Sequence, residues 1–174
     1  KWFRPSDVKV APDGSLIVAD WYDPGVGGHN MRDLDRGRLF RVTPKGHKGY
    51  KLTKNDFHST KGLITALGNP NNSVRHVAWT ELNKRQKSVE PALQKMAQDA
   101  NPRMRARALW LLAKITGNAQ GTVDQATKDK DENIRGMALR IARQHELDVI
   151  GLIKQLAQDK SALVRRECLI AIRH

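Results

Sequence analysis

The sequence predicts a mostly α fold with a small β part: an α-solenoid of about four thirty-residue helical repeats, preceded by a three-stranded antiparallel β segment. Three observations predict it. Arg75, Arg105, Arg135 and Arg165 recur at thirty-residue intervals, each in the same frame. Six residues earlier stands Asn69, Asp99, Asp129 or Asp159; four earlier, a helix-capping type, Asn71, Asn101, Asp131 or Ser161; one earlier, Val74, Met104, Ile134 or Val164; three later, a small residue, Ala78, Ala108, Ala138 or Cys168. A fixed period of this length marks a repeat array. Composition changes near residue 60, from Gly, Pro and aromatic residues to helix formers, so the chain divides into a β segment (1–46), a connector (47–60) and the repeats (61–174). Finally, Asp13-Gly14 separates two β-prone runs, a strong hairpin signal because glycine supplies the positive φ of a tight turn.

The β runs are Asp7 to Val10, Leu16 to Asp20 and Arg38 to Val42, the last closed by Pro44 and Gly46. Three strands of this length form a sheet that is marginal alone and needs neighbours to cover its faces. In the connector, Ser59 or Thr60 is placed to cap the first helix. Each repeat then reads as two short antiparallel helices. First helices carry Leu63, Leu93, Val123 and Ile153, followed at three and four residues by Ala66 and Leu67, Met96 and Ala97, Ala126 and Thr127, Leu156 and Ala157. This spacing puts one apolar stripe inward. Second helices do the same with Val74, Ala78 and Leu82; Met104, Ala108, Leu111 and Leu112; Ile134, Ala138 and Ile141; Val164, Cys168 and Ile172. Gly117 to Gly121 and Thr127 weaken the first helix of the third repeat, where the array is expected to be softest.

An arginine one step past a buried aliphatic residue suits a paired role in the seam between repeats, with the Asp/Asn column as partner; the ladder Arg75, Arg105, Arg135, Arg165 with Asp99, Asp129 and Asp159 is therefore read as structural. By the same logic Cys168 is a buried small hydrophobe rather than a nucleophile.

Candidate chemistry concentrates around the loop from Trp21 to Arg36. Asp20, Asp23, His29, Asp33 and Asp35 offer oxygen and imidazole ligands suited to Ca²⁺ or a first-row metal, with Asp20, Asp23, His29 and Asp33 the metal candidates. His29, with Asp20 and Asp23, is also the catalytic candidate, as a general base and its carboxylates. The spacing matches no strong metal motif, and the preferred reading is that Asp23-Pro24-Gly25 and Gly27-Gly28 build a folded loop whose carboxylates satisfy turn backbone. The chain has no phosphate-binding Gly-rich fingerprint between strand and helix, no nucleophile elbow and no zinc-type Cys/His cluster, so it does not read as an enzyme on its own. Its start without methionine and its stop inside a repeat read as a piece of a longer protein.

The net charge of +13 divides as +4 over residues 1–60 and +9 over 61–174, with acids interleaved. That balance raises nucleic acid as a partner, through Arg103, Arg107, Arg140, Arg143, Arg166 and Arg173 outside the ladder. The single cysteine excludes an internal disulfide, and no run approaches the roughly 18 apolar residues of a membrane span.

Several motifs carry a resemblance. Trp2-Phe3-Arg4-Pro5-Ser6-Asp7-Val8, Pro12-Asp13-Gly14, Ala19-Asp20-Trp21-Tyr22-Asp23-Pro24, Gly28-His29 and Gly37-Arg38-Leu39-Phe40-Arg41-Val42 resemble the last blade of the β-propeller in the membrane-bound dehydrogenase family. Its propellers are similar to those of soluble quinoprotein sugar dehydrogenases and to NHL-type propellers. The repeats, with Asp, Val-Arg and Ala in fixed columns, resemble HEAT-like repeats of the phycobilisome-lyase type. The resemblance implies a non-catalytic piece of an extracytoplasmic (periplasmic or membrane-associated) dehydrogenase-like protein. In it the helices would act as scaffold or protein-interaction module, beside other propeller blades and a redox or protein partner. It implies no cofactor in this segment, and a quinone, Ca²⁺ or haem c in the parent. The alternative is a basic HEAT-like solenoid that binds nucleic acid.

Overall fold

A computed structural model describes residues 3–11, 13–21, 35–47 and 54–173. The elements are β1 (Pro5–Val10), β2 (Leu16–Asp20) and β3 (Arg38–Val42), then α1 (Thr60–Leu67), α2 (Asn72–Arg85), a 3-10 turn (Gln86–Val89), α3 (Glu90–Met96), α4 (Pro102–Ile115), α5 (Ala119–Thr127), α6 (Glu132–Gln144), α7 (Val149–Leu156) and α8 (Ala162–Ile172). The chain divides into two compact units. One comprises residues 1–55 with 69–76, the other residues 56–68 with 77–174.

In the first unit the strands form an antiparallel meander in the order β1-β2-β3. Val8 pairs with Val18 and Val18 with Phe40. The β1–β2 turn closes where the Gly14 amide donates to the Ala11 carbonyl and the Ala11 amide to the Ser15 carbonyl. Gly14 holds φ at +87°, the left-handed value that favours glycine. Both outer strands are exposed along their length, so the apolar side chains of Val8, Val10, Leu39 and Val42 meet solvent. Phe3 and Phe40 pack edge to face, centroids 5.6 Å apart.

The second unit is helical. The antiparallel pairs α3–α4, α5–α6 and α7–α8 stack so that α4 lies on α6 and α6 on α8. Every second helix is capped by the residue its column predicts. Asn71, Asn101, Asp131 and Ser161 accept the amide protons of Ser73, Arg103, Asn133 and Leu163. Capping satisfies amides that would otherwise open the helix, about 1 kcal/mol each. Ser59 caps α1. The predicted stripes are inside: Leu63, Leu82, Leu93, Leu111, Val123, Ile134, Ile141 and Val164 are almost wholly buried. Ala78, Ala108 and Ala138 have no exposed surface, which lets neighbouring helices approach, and a bulkier residue there would cost about 1–3 kcal/mol.

Two expectations fail, both on the last pair. Ala157 and Ile172 are exposed although their columns predicted core. Among the described residues no helix pair covers them. The glycines of the third repeat have local geometric roles. Gly117, at φ +71°, ends α4 in the left-handed conformation, and the Gly121 amide donates to the Asn118 side chain that caps α5. α5 runs nine residues from Ala119 to Thr127.

Candidate functional site

The ladder is the best-defined polar constellation. In all four repeats the arginine Nη1 donates back into its own interhelical loop, to the carbonyl of Asn69 (2.7 Å), Asp99 (2.9 Å), Asp129 (3.0 Å) or Asp159 (2.6 Å). The side chain of that same Asn or Asp accepts the amide of the capping residue two positions on, at 2.8 Å each time. At two rungs the other edge of the guanidinium crosses to the next repeat. Arg105 grips Asp129 through Nε and Nη2, both at 2.8 Å, and Arg135 grips Asp159 at 2.7 and 2.8 Å. The side-chain partner is thus the aspartate twenty-four residues ahead, while the one six residues behind contributes its main chain. These pairs are nearly buried, with side-chain exposures of 7 and 12 % and of 8 and 10 %.

Their electrostatics follow. The fork from Arg135, the largest influence, outweighs burial and with the Ser161 amide holds the Asp159 carboxyl at about 2. Burial pulls Asp129 upward, but hydrogen bonds from Arg105 and the Asp131 amide leave it below its ordinary value. Both arginines are held above theirs, first by the hydrogen bonds to their aspartates.

A second cluster was not visible in the repeat columns. Glu167 on α8 is 4 % exposed and accepts from Arg140 Nε (3.0 Å) and Arg166 Nη2 (3.1 Å). It replaces Val77, Arg107 and Met137 of its column, so no period announces it. Its room comes from Gly136, where a Cβ would stand 3.1 Å from the Glu167 Cγ. Burial raises the Glu167 carboxyl and the two arginines outweigh that, for a net lowering. Arg107 is likewise tied down, donating to the Leu67 carbonyl at 3.0 Å.

Between α4 and α6 lies an open groove of about 430 Å³, floored by Ala106, Trp110 and Met137 and flanked by Arg103 and Arg140. Cys168 is buried and its thiol is pushed up, chiefly by burial. Among the described residues no three His, Cys, Asp or Glu side chains gather as a metal site, and no helix is long and apolar enough to cross a membrane.

Of the candidates around the Trp21 to Arg36 loop, Asp23, His29 and Asp33 lie outside the described residues. Asp35 is exposed. Asp20 is described and buried, and the sheet uses both its oxygens: Oδ1 accepts the Arg4 amide at 2.7 Å and Oδ2 the Arg38 Nε at 2.9 Å. Asp99, the remaining ladder acid, is exposed.

Stacked helix pairs with these capped, arginine-tied loops have a counterpart among known proteins. Residues 60–124 match the HEAT-repeat family model. The helical part is therefore a solenoid-like array of HEAT-like repeats, a scaffold or protein-interaction architecture, and the third and fourth repeats extend the matched region in the same thirty-residue register. No curated relative matches the chain.

Proposed function

We propose that the HEAT-like array is a protein-binding scaffold whose α4–α6 groove takes an extended segment of a partner protein. One observation carries this reading. The groove holds the half-buried Trp110 indole over the buried Met137 between two arginines, an apolar floor with polar flanks of the kind that anchors a protein chain. Several arginines of the array are committed to partners within it. Arg105, Arg135, Arg140 and Arg166 hold carboxylates, and Arg107 holds a carbonyl.

The β segment reads as one blade of a propeller in an extracytoplasmic dehydrogenase-like protein. In that protein this chain is a non-catalytic part, and a quinone, Ca²⁺ or haem c serves elsewhere. The exposed faces of the three-stranded meander and the motifs around Trp21 and Gly37 support that reading.

The scaffold reading is tested with Trp110→Ala and Arg103→Ala. Both should keep the melting temperature and lose the protein partner recovered by crosslinking at the groove. Salt-steep binding of duplex DNA, abolished by Arg103→Ala, would replace this reading with the nucleic-acid one. For the parent, His29→Ala should leave turnover and metal content unchanged; loss of either moves the Trp21 to Arg36 loop into the catalytic machinery.

A further inference from the structure

We propose that the occupant of the α4–α6 groove is an acidic segment of a partner protein, an extended run with an apolar side chain at its centre and a carboxylate two residues to either side; the proposal rests on the scaffold reading. The groove is laid out for that pattern. On α4, Arg103, Ala106 and Trp110 fall at i, i+3 and i+7; on α6, Asn133, Met137 and Arg140 fall at i, i+4 and i+7. Each wall therefore shows one helix face over two turns, about 10 Å. Both helices begin at the same end of the groove, where Pro102 and Asp131 line it. Arg103 stands at that end on one wall and Arg140 at the far end on the other, with the apolar floor between them. For packed helices about 8–10 Å apart, the diagonal from one arginine backbone to the other is about 14 Å. An extended chain covers that span in about four residues, and its residues i, i+2 and i+4 face one way. Carboxylates at i and i+4 then reach the two arginines, while the side chain at i+2 lands on the floor.

Charge selects the occupant. Arg103 is exposed, and among the described residues its guanidinium meets no carboxylate. The Arg140 side chain is 61 % exposed; it gives Nε and Nη2 to Glu167 and keeps Nη1 for a ligand. Asp131, the acid that lines the groove, is occupied as a helix cap and accepts the Asn133 amide at 2.9 Å. An apolar segment would cover the Arg103 charge without pairing it, which opposes docking. A basic segment would meet two cations of its own sign. A nucleic-acid strand carries a charge on every nucleotide, and the charges between the two arginines would lie over Ala106 and Met137. An acidic chain suits both scales: its carboxylates form the charge-assisted bonds that guanidinium geometry favours, and the net +9 of residues 61–174 draws it to the array from a distance.

The test pans a random phage-displayed peptide library on the whole chain and counter-selects on Trp110→Ala. The expected peptides carry Asp or Glu at i and i+4 and an apolar residue at i+2. For a synthetic copy of the most enriched peptide, fluorescence anisotropy should show Kd rising about fivefold when the acid facing Arg103 becomes alanine. The rise should be smaller for the acid facing Arg140, whose charge Glu167 already shares. The same library panned on Arg103→Glu should exchange one of the two acids for lysine or arginine, a swap that a misfolded variant cannot produce. Retention of both acids there, or no enrichment on that variant, counts against the proposal. Peptides that need Trp110 but are neutral, basic or without the four-residue spacing would overturn it and leave the scaffold reading standing. No enriched peptide on the whole chain, or peptides indifferent to Trp110→Ala, would overturn both.

Discussion

Replacing Arg105 by alanine should destabilise the array without touching a ligand. The side chain makes four hydrogen bonds: two to the Asp129 carboxylate and two to the carbonyls of Asp99 and Ala100. Its removal strands a carboxylate that is 12 % exposed and leaves two loop carbonyls without their donor. Breaking one side of a buried pair costs about 3–5 kcal/mol, and on a chain of this size each kcal/mol moves the midpoint by about 2–4 °C. Far-UV circular dichroism should therefore show the melting temperature of Arg105→Ala falling by roughly 6–20 °C. Arg105→Lys keeps the charge but cannot fork, and should fall between the two. Arg165→Ala is the internal control, because that side chain is exposed and makes one main-chain contact; its cost should stay within about 1 kcal/mol. A midpoint for Arg105→Ala within about 2 °C of the parent chain would refute the seam role, all the more so if a binding activity vanished with it.

Three further outcomes are expected. Because the folded-state value of Asp159 is depressed to about 2, its contribution to stability is complete above the unfolded value near 4. It is lost as pH falls through 2, so acid unfolding should steepen across that window and Asp159→Asn should flatten it. Cys168, buried and with a raised thiol, should react with a thiol reagent slowly in the native state and fast in denaturant; prompt native labelling would contradict its packing role. Gly117→Ala forces a side chain into φ +71° and should cost about 1–2 kcal/mol by denaturant titration, whereas an unchanged midpoint would mean the α4 terminus relaxes.

The array was legible because its demands repeat. Four capping residues at one column, four small residues at another and four arginines between them leave a thirty-residue trace that no single helix could leave. The strands were legible from their turn chemistry, and β2 and β3 fall where the runs predicted. Glu167 was not legible, since it breaks its column and is tolerated only because Gly136, thirty-one residues away, leaves the room. The groove was equally hidden. Trp110 and Met137 sit in columns that hold Thr80 and Arg140, or Val77 and Glu167, so period alone assigns them no shared face. Binding surfaces of repeat proteins lie where the columns vary, and a periodic reading is blind there by construction.

The two-sided arginine also bears on how the array unfolds. Each interhelical loop is held from behind by its own arginine through main-chain carbonyls, and from ahead of α6 and α8 by the preceding repeat's arginine through the Asp129 and Asp159 carboxylates. The same carboxylates also accept the amides of Asp131 and Ser161, so a rung that opens frees the helix N-cap it supports. In a one-dimensional array the interface terms between neighbours set cooperativity. Here the interface and the cap share one side chain, so loss of Arg105 should weaken α6 as well as the seam. Hydrogen exchange should then rise at the first amides of α6 in Arg105→Ala, at Asn133 before the centre of the helix; uniform exchange along α6 would separate the seam from the cap.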